Sequence, residues 1–225
     1  MCFLRLLNRL APRASLARLA RPAVAALLLG LGATLGAGPA LAAKTILVFG
    51  DSLSAGYGIR QEAAWPSLLN HRLAAEGRDY TVVNASISGE TSAGGRSRLS
   101  QALVTHKPAI LILALGANDG LRGLPIAEMK KNLTAMIRLA NRHGIRVLLV
   151  GMRLPPNYGR YASDFQRAYP DIARETHVPL VPFLLDGIGQ HPELFQADTV
   201  HPTAEAQPKL LDNVWPPLLP LLKGA

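Results

Sequence analysis

Ser52, Asp198 and His201 are the residues whose types and surroundings point to nucleophilic chemistry. Ser52 lies in Gly50-Asp51-Ser52-Leu53-Ser54, one step past an apolar run from Thr45 to Phe49. A serine hydroxyl is a poor nucleophile until a base takes its proton during attack. His201 is the candidate base. Asp198, three residues earlier and within reach in one turn, is the candidate acid that fixes the imidazole tautomer and stabilises the imidazolium. A tetrahedral intermediate also needs donors aimed at its oxyanion, and the candidates are the backbone N–H groups of Ser52 and Gly89 and the side-chain amide of Asn118. Loss of one such donor typically costs about 3–4 kcal/mol of transition-state stabilisation.

Each fragment alone also describes ordinary structure. Asp51 and Ser52 suit a helix cap, Asn118-Asp119-Gly120 suits a turn, and Asp198 with His201 suits a surface pair. Their joint placement favours chemistry. Apolar runs at 45–49, 80–85, 109–115, 146–151 and 180–182 read as strands, and those at 110–113 and 147–150 lack the polar alternation of a half-exposed sheet. Helix-length segments at 64–76, 95–106, 126–143 and 160–176 lie between them, with Gly77 and Gly144 as stops after the first and third. This alternation predicts a three-layer α/β/α sandwich around a five-stranded parallel sheet with right-handed crossovers. Parallel strands bring the loops at 50–52, 86–95 and 116–120 to one edge of the sheet, where 198–202 can join them. A last helix begins near Thr203 and is expected to end near Trp215, because Pro216, Pro217 and Pro220 follow.

Competing bases are weaker. His71, His106 and His143 fall within or at the ends of predicted helices, His177 precedes the short strand, and no acid lies just before His191. No ligand spacing suggests a metal, and neither a Gly-x-Ser-x-Gly elbow nor a phosphate-binding Gly-Lys-Ser/Thr loop occurs.

The chain has 225 residues and a formal net charge of +9. Its beginning is of a different kind. Arg5, Arg9, Arg13, Arg18 and Arg21 are followed by an uncharged stretch from 22 to 43 that contains Ala40-Leu41-Ala42. A basic region, an apolar region and a small-x-small site together read as an export signal over 1–42, with one mature domain over 43–225. The uncharged stretch is also long enough for an uncleaved anchor, the competing reading. No Arg-Arg pair suggests twin-arginine export, and Cys2 is too close to the terminus for a lipoprotein signal. Five of the nine excess positive charges lie in 1–42, which leaves +4 on the rest and no basic stripe of the kind that binds nucleic acid. The single cysteine, Cys2, also lies there, so the remaining chain is expected to fold without a disulfide. A periplasmic or secreted location follows from this reading. Any membrane contact is expected to be transient, and the chain to be monomeric.

These residues together resemble the SGNH (GDSL) hydrolase family. Gly50-Asp51-Ser52-Leu53-Ser54 is similar to its first block, Gly89 to its second, Gly116-Ala117-Asn118-Asp119 to its third and Asp198-Thr199-Val200-His201 to its last. The stretches 84–92, 118–123 and 153–159 look like the group of bacterial periplasmic thioesterases, lysophospholipases and arylesterases within it. The resemblance implies a flavodoxin-like fold, no cofactor, Ser52 as nucleophile, Gly89 and Asn118 in the oxyanion hole, and Asp198 and His201 completing a triad. It also implies small acyl ester, thioester or lysophospholipid substrates. Leu121, Leu154, Pro155 and Tyr158 are the candidates for the acyl-binding wall, with loop packing as the competing reading. Ala117 departs from the glycine common in the family, and its methyl is expected to narrow the pocket beside Asn118. The proline-rich tail also departs from the pattern. Two other functions fit the same chain. One is a carbohydrate O-deacetylase of the same superfamily, and the other a non-catalytic flavodoxin-like binding protein.

Overall fold

The computed structural model describes residues 43–223. The segment read as an export signal lies outside the described residues. Five strands, β1 (Lys44–Gly50), β2 (Tyr80–Asn84), β3 (Ile110–Ala114), β4 (Arg146–Val150) and β5 (Leu180–Val181), form one parallel sheet in the order β2-β1-β3-β4-β5. Among the described residues seven α-helices accompany them: α1 (Ser52–Ala55), α2 (Trp65–Ala75), α3 (Ser92–His106), α4 (Ala117–Leu121), α5 (Ile126–Arg142), α6 (Arg160–Thr176) and α7 (Gln207–Leu222).

Strand periodicity divides the core in two. Ile46 and Val48 of β1 face one side, packed with Ile110, Ile112, Leu148, Trp65, Leu69 and Leu210 beneath α2 and α7. Leu47 and Phe49 face the other, packed with Leu111, Leu113, Leu99, Leu133, Phe165 and Tyr169 beneath α3, α5 and α6. Both faces of the central strands are therefore apolar, which is why these segments show no polar alternation. The expected three-layer sandwich with a five-stranded parallel sheet is the observed fold.

The strand order reverses direction between β1 and β3, the place where open parallel sheets leave a crevice beyond the strand ends. The loops after these two strands carry Ser52 and Asn118. The β2 loop, with Gly89, is tied alongside: Ala85 N–H donates to Val48 O at 2.8 Å and Ile87 N–H to Gly50 O at 3.0 Å. Arg98 of α3 clamps the same loop by donating to Ala85 O at 2.9 Å and to the Glu90 carboxylate, with its guanidinium 3.8 Å above the Phe49 ring.

Three local expectations are corrected. α7 does not end near Trp215 but runs to Leu222 through Pro216, Pro217 and Pro220. Each internal proline costs a backbone bond and about 3 kcal/mol in an isolated helix. Here Leu210, Leu211, Val214, Trp215, Leu218 and Leu222 are buried along one face, and burying large apolar side chains contributes roughly 1.5–3 kcal/mol apiece. Packing outweighs propensity. The helix also begins later than Thr203, so Pro208 falls in its first turn, where no N–H partner is needed. Finally, α3 starts at Ser92 rather than Gly95, because the Thr91 hydroxyl caps it by accepting from Gly94 N–H at 3.3 Å. Among the described residues no helix is long and apolar enough to cross a membrane.

Candidate active site

Ser52 is the first residue of α1, a single turn that the Asp51 carboxyl caps by accepting from Leu53 N–H at 3.1 Å. This places the Ser52 hydroxyl above the end of β1, half-buried. His201 comes to it from the far end of the chain: Nε2 lies 2.9 Å from Ser52 Oγ. On the other side of the ring, Nδ1 lies 2.6 Å from Asp198 Oδ2. The second Asp198 oxygen accepts from Val200 N–H at 2.9 Å and His201 N–H at 3.0 Å. Those bonds, led by the His201 backbone N–H, lower the Asp198 pKa to about 2. The three residues singled out in the sequence are thus one hydrogen-bonded chain, which can carry a proton from the serine hydroxyl to the imidazole.

The turn that presents His201 is held from both sides. Thr199 adopts φ 57°, a left-handed conformation that costs a β-branched residue about 1–2 kcal/mol. Such strain persists only where surrounding structure fixes it. Gln196 supplies that fixing: its backbone N–H donates to His201 O at 2.8 Å, and its side-chain amide donates to Tyr57 O at 2.8 Å and Pro202 O at 3.1 Å. The Tyr57 ring lies 4.5 Å from the His201 ring. Neither Gln196 nor Tyr57 stood out in the sequence, since their roles depend on a contact across some 140 residues. His191 is exposed and paired with Glu193 at 3.1 Å.

Asn118 is on α4, whose N-cap is Gly116. Asn118-Asp119-Gly120 is therefore helical rather than a plain turn. Gly116 has φ 114°, and a Cβ there would come within 2.4 Å of the Tyr169 hydroxyl, so the chain can turn from β3 into α4 only with glycine. The Asn118 side chain lies near enough to the Asp51 carboxyl to favour its ionised form. Gly89, at φ 78°, has no hydrogen-bond acceptor on its N–H among the described residues, and its carbonyl accepts from Arg122 Nη2 at 2.9 Å. Ala117 is buried beside Asn118 and is among the residues that line the cavity.

A cavity of about 490 Å³ opens beside Ser52, His201 and Asn118. Leu121, Leu154 and Pro155 line it, together with Met152, Phe183 and Phe195. Tyr158 does not; its hydroxyl donates to Leu121 O at 3.2 Å, bracing the wall from behind. A ring long enough to reach a neighbouring backbone carbonyl is satisfied there rather than in an apolar cavity. Among the described residues no cluster of three or more His, Cys, Asp or Glu could hold a metal.

Asp51 is the least exposed acid next to Ser52. Burial raises its pKa from 3.8 to about 7, against the lowering effect of the Leu53 N–H and the Asn118 side chain. The unfolded chain ionises this group near pH 4 and the folded chain near pH 7, so the native state holds the extra proton and stability falls as pH rises between those values. Asp51→Asn keeps the cap without the buried charge. Thermal melts are expected to show it more stable than the parent at pH 8, by about 4 kcal/mol at most, with the advantage gone at pH 4. Equal advantages at both pH values would show that burial does not hold Asp51 neutral.

The family and the relatives of this chain make it an ester-hydrolysing enzyme rather than a non-catalytic binding protein. The chain belongs to the GDSL-like lipase/acylhydrolase family, which matches residues 48–207. It is 52% identical over 182 residues to Esterase TesA of Pseudomonas aeruginosa, covering 80% of this chain and 90% of that one. To thioesterase 1/protease 1/lysophospholipase L1 of Escherichia coli it is 42% identical over 184 residues, covering 81% and 87%. A crystal structure of TesA superposes with a TM-score of 0.78 at 51% identity, covering 79% of this chain and 99% of that one.

Proposed function

We propose that this enzyme is an exported serine esterase that cleaves carboxylic ester and thioester bonds through an acyl-enzyme. The observation that carries the reading is the continuous chain Ser52 Oγ, His201 Nε2, His201 Nδ1, Asp198 Oδ2, with links of 2.9 and 2.6 Å. Ser52 Oγ attacks the acyl carbon as its proton passes to His201 Nε2. The resulting oxyanion is held by the Ser52 and Gly89 N–H groups and the Asn118 amide. The bond to the leaving alcohol or thiol breaks as His201 returns the proton to it. Water, deprotonated by the same imidazole, then releases the acid and restores Ser52.

The apolar cavity wall of Leu121, Leu154 and Pro155 suits an acyl chain. It favours aryl esters, acyl-CoA-type thioesters and lysophospholipids over acetylated sugars. Residues 1–42 serve as the export signal and 43–225 as one hydrolase domain acting as a monomer in the periplasm or outside the cell. The test is a pre-steady-state assay on p-nitrophenyl esters of increasing acyl length, with acetylated sugars alongside. A p-nitrophenol burst stoichiometric with enzyme, and kcat/KM rising beyond acetyl, is the expected result. Preference for acetyl-sugars would replace this reading with the deacetylase one.

A further inference from the structure

Beneath the proposed oxyanion donors lies a buried polar cluster that the reaction itself does not use. Asp119, adjacent to Asn118 on α4, is buried, and both its carboxyl oxygens bind one residue. Oδ2 accepts from Ser92 N–H at 2.7 Å, and Oδ1 from the Ser92 hydroxyl at 2.5 Å. Ser92 is fully buried and opens α3, three residues after Gly89. Its hydroxyl in turn accepts from Asn132 Nδ2 at 3.1 Å, and Asn132 Oδ1 accepts from Arg96 Nη1 at 3.1 Å. The chain Arg96, Asn132, Ser92, Asp119 thus runs in one donor direction across α3, α5 and α4. A second tie joins the same two segments: Arg122, at the end of α4, donates to Gly89 O at 2.9 Å.

We propose that Asp119 is a positioning residue, which through Ser92 sets the Gly89 and Asn118 donors at a fixed separation. This rests on the reading of those two groups as the oxyanion hole. The donors come from different strands, β2 and β3, which are not neighbours in the sheet because β1 lies between them. The regular β ladder therefore does not pair one loop directly with the other. The two-bond link from Asp119 to Ser92 does so across 27 residues, out of contact with water. Donor placement within a few tenths of an ångström matters because only donors aimed at the developing charge lower the barrier. A fully satisfied buried network is the kind of support that holds such geometry.

The prediction concerns where the loss appears. Asp119→Asn and Ser92→Ala are expected to lower kcat on p-nitrophenyl butyrate about 10–100-fold, within the cost of a misplaced donor, with KM changed less than about twofold. Affinity for an acyl trifluoromethyl ketone, whose hemiketal oxygen occupies the oxyanion position, should fall by a similar factor. Ser92→Thr, which keeps both the N–H and the hydroxyl, should restore most of kcat. In an Asn118→Ala background, Asp119→Asn should cost much less than in the parent, because one of its two targets is gone. Unchanged kcat in both Asp119→Asn and Ser92→Ala, a loss confined to KM or melting temperature, or full additivity with Asn118→Ala would overturn the proposal. Parental kcat in Asn118→Ala alone would instead overturn the oxyanion reading beneath it. Should Asp119→Asn fail to fold, Ser92→Ala, which keeps the N–H bond, carries the test.

Discussion

Replacing Ser52 with alanine is expected to reduce kcat on p-nitrophenyl esters by about 10⁶-fold, to the residual rate that binding and oxyanion donors alone sustain. The hydroxyl is the one group 2.9 Å from His201 Nε2 that can form a bond to the acyl carbon, and a methyl cannot replace it. Structural cost should be small. Ser52 is half-buried, its side chain bonds only to His201 among the described residues, and α1 is capped by Asp51, so the melting temperature should hardly move. A fluorophosphonate should label the parent at Ser52, read by peptide mass, and leave Ser52→Ala unlabelled. Turnover retained at more than one part in a thousand in a purified, folded variant would remove Ser52 from the nucleophile's position.

The second large effect concerns Asp198. The Val200 and His201 N–H groups both donate to one oxygen, so in Asp198→Asn the amide carbonyl is required on that side. The NH₂ group then faces His201 Nδ1, where a carboxylate accepted at 2.6 Å. Nδ1 must become the acceptor and Nε2 the protonated nitrogen, and a protonated Nε2 cannot take the serine proton. The expected loss is roughly 10³–10⁴-fold in kcat, with KM little changed. Asp198→Ala should be less damaging, because Asp198 is exposed and water can accept from Nδ1 in its place. That ordering, Asn worse than Ala, distinguishes tautomer control from simple loss of charge. The reverse ordering would leave Asp198 a merely electrostatic role. With its pKa near 2, Asp198 should contribute no limb to the parent pH–rate profile above about pH 4.

Much of this arrangement was legible before any coordinates. Continuous apolar runs such as Ile110–Leu113 fit strands covered on both faces, and a set of these alternating with amphipathic segments has few solutions. Ser52, Asp198 and His201 could be picked out because chemistry restricts the residue types and the parallel sheet brings its loops to one edge. Legibility failed wherever a distant contact overrode a local preference. Three prolines in α7 read as a stop, but a buried apolar face continues the helix. Tyr158 read as cavity wall, but a backbone carbonyl claims its hydroxyl. Asp51 reads as a candidate helix cap, which it is, but only the packed fold buries it and raises its pKa to about 7.

The layer architecture and the candidate reacting groups can be read from the amino-acid sequence. Both follow from periodicity and functional-group chemistry, which are local properties of the chain. How those groups are held emerges on folding: Gln196 bracing the His201 turn, Tyr57 against its ring, Ser92 and Asp119 joining the Gly89 and Asn118 loops. Each of these is a hydrogen bond or ring contact between segments remote in sequence. Its existence depends on distances that only the packed sheet defines.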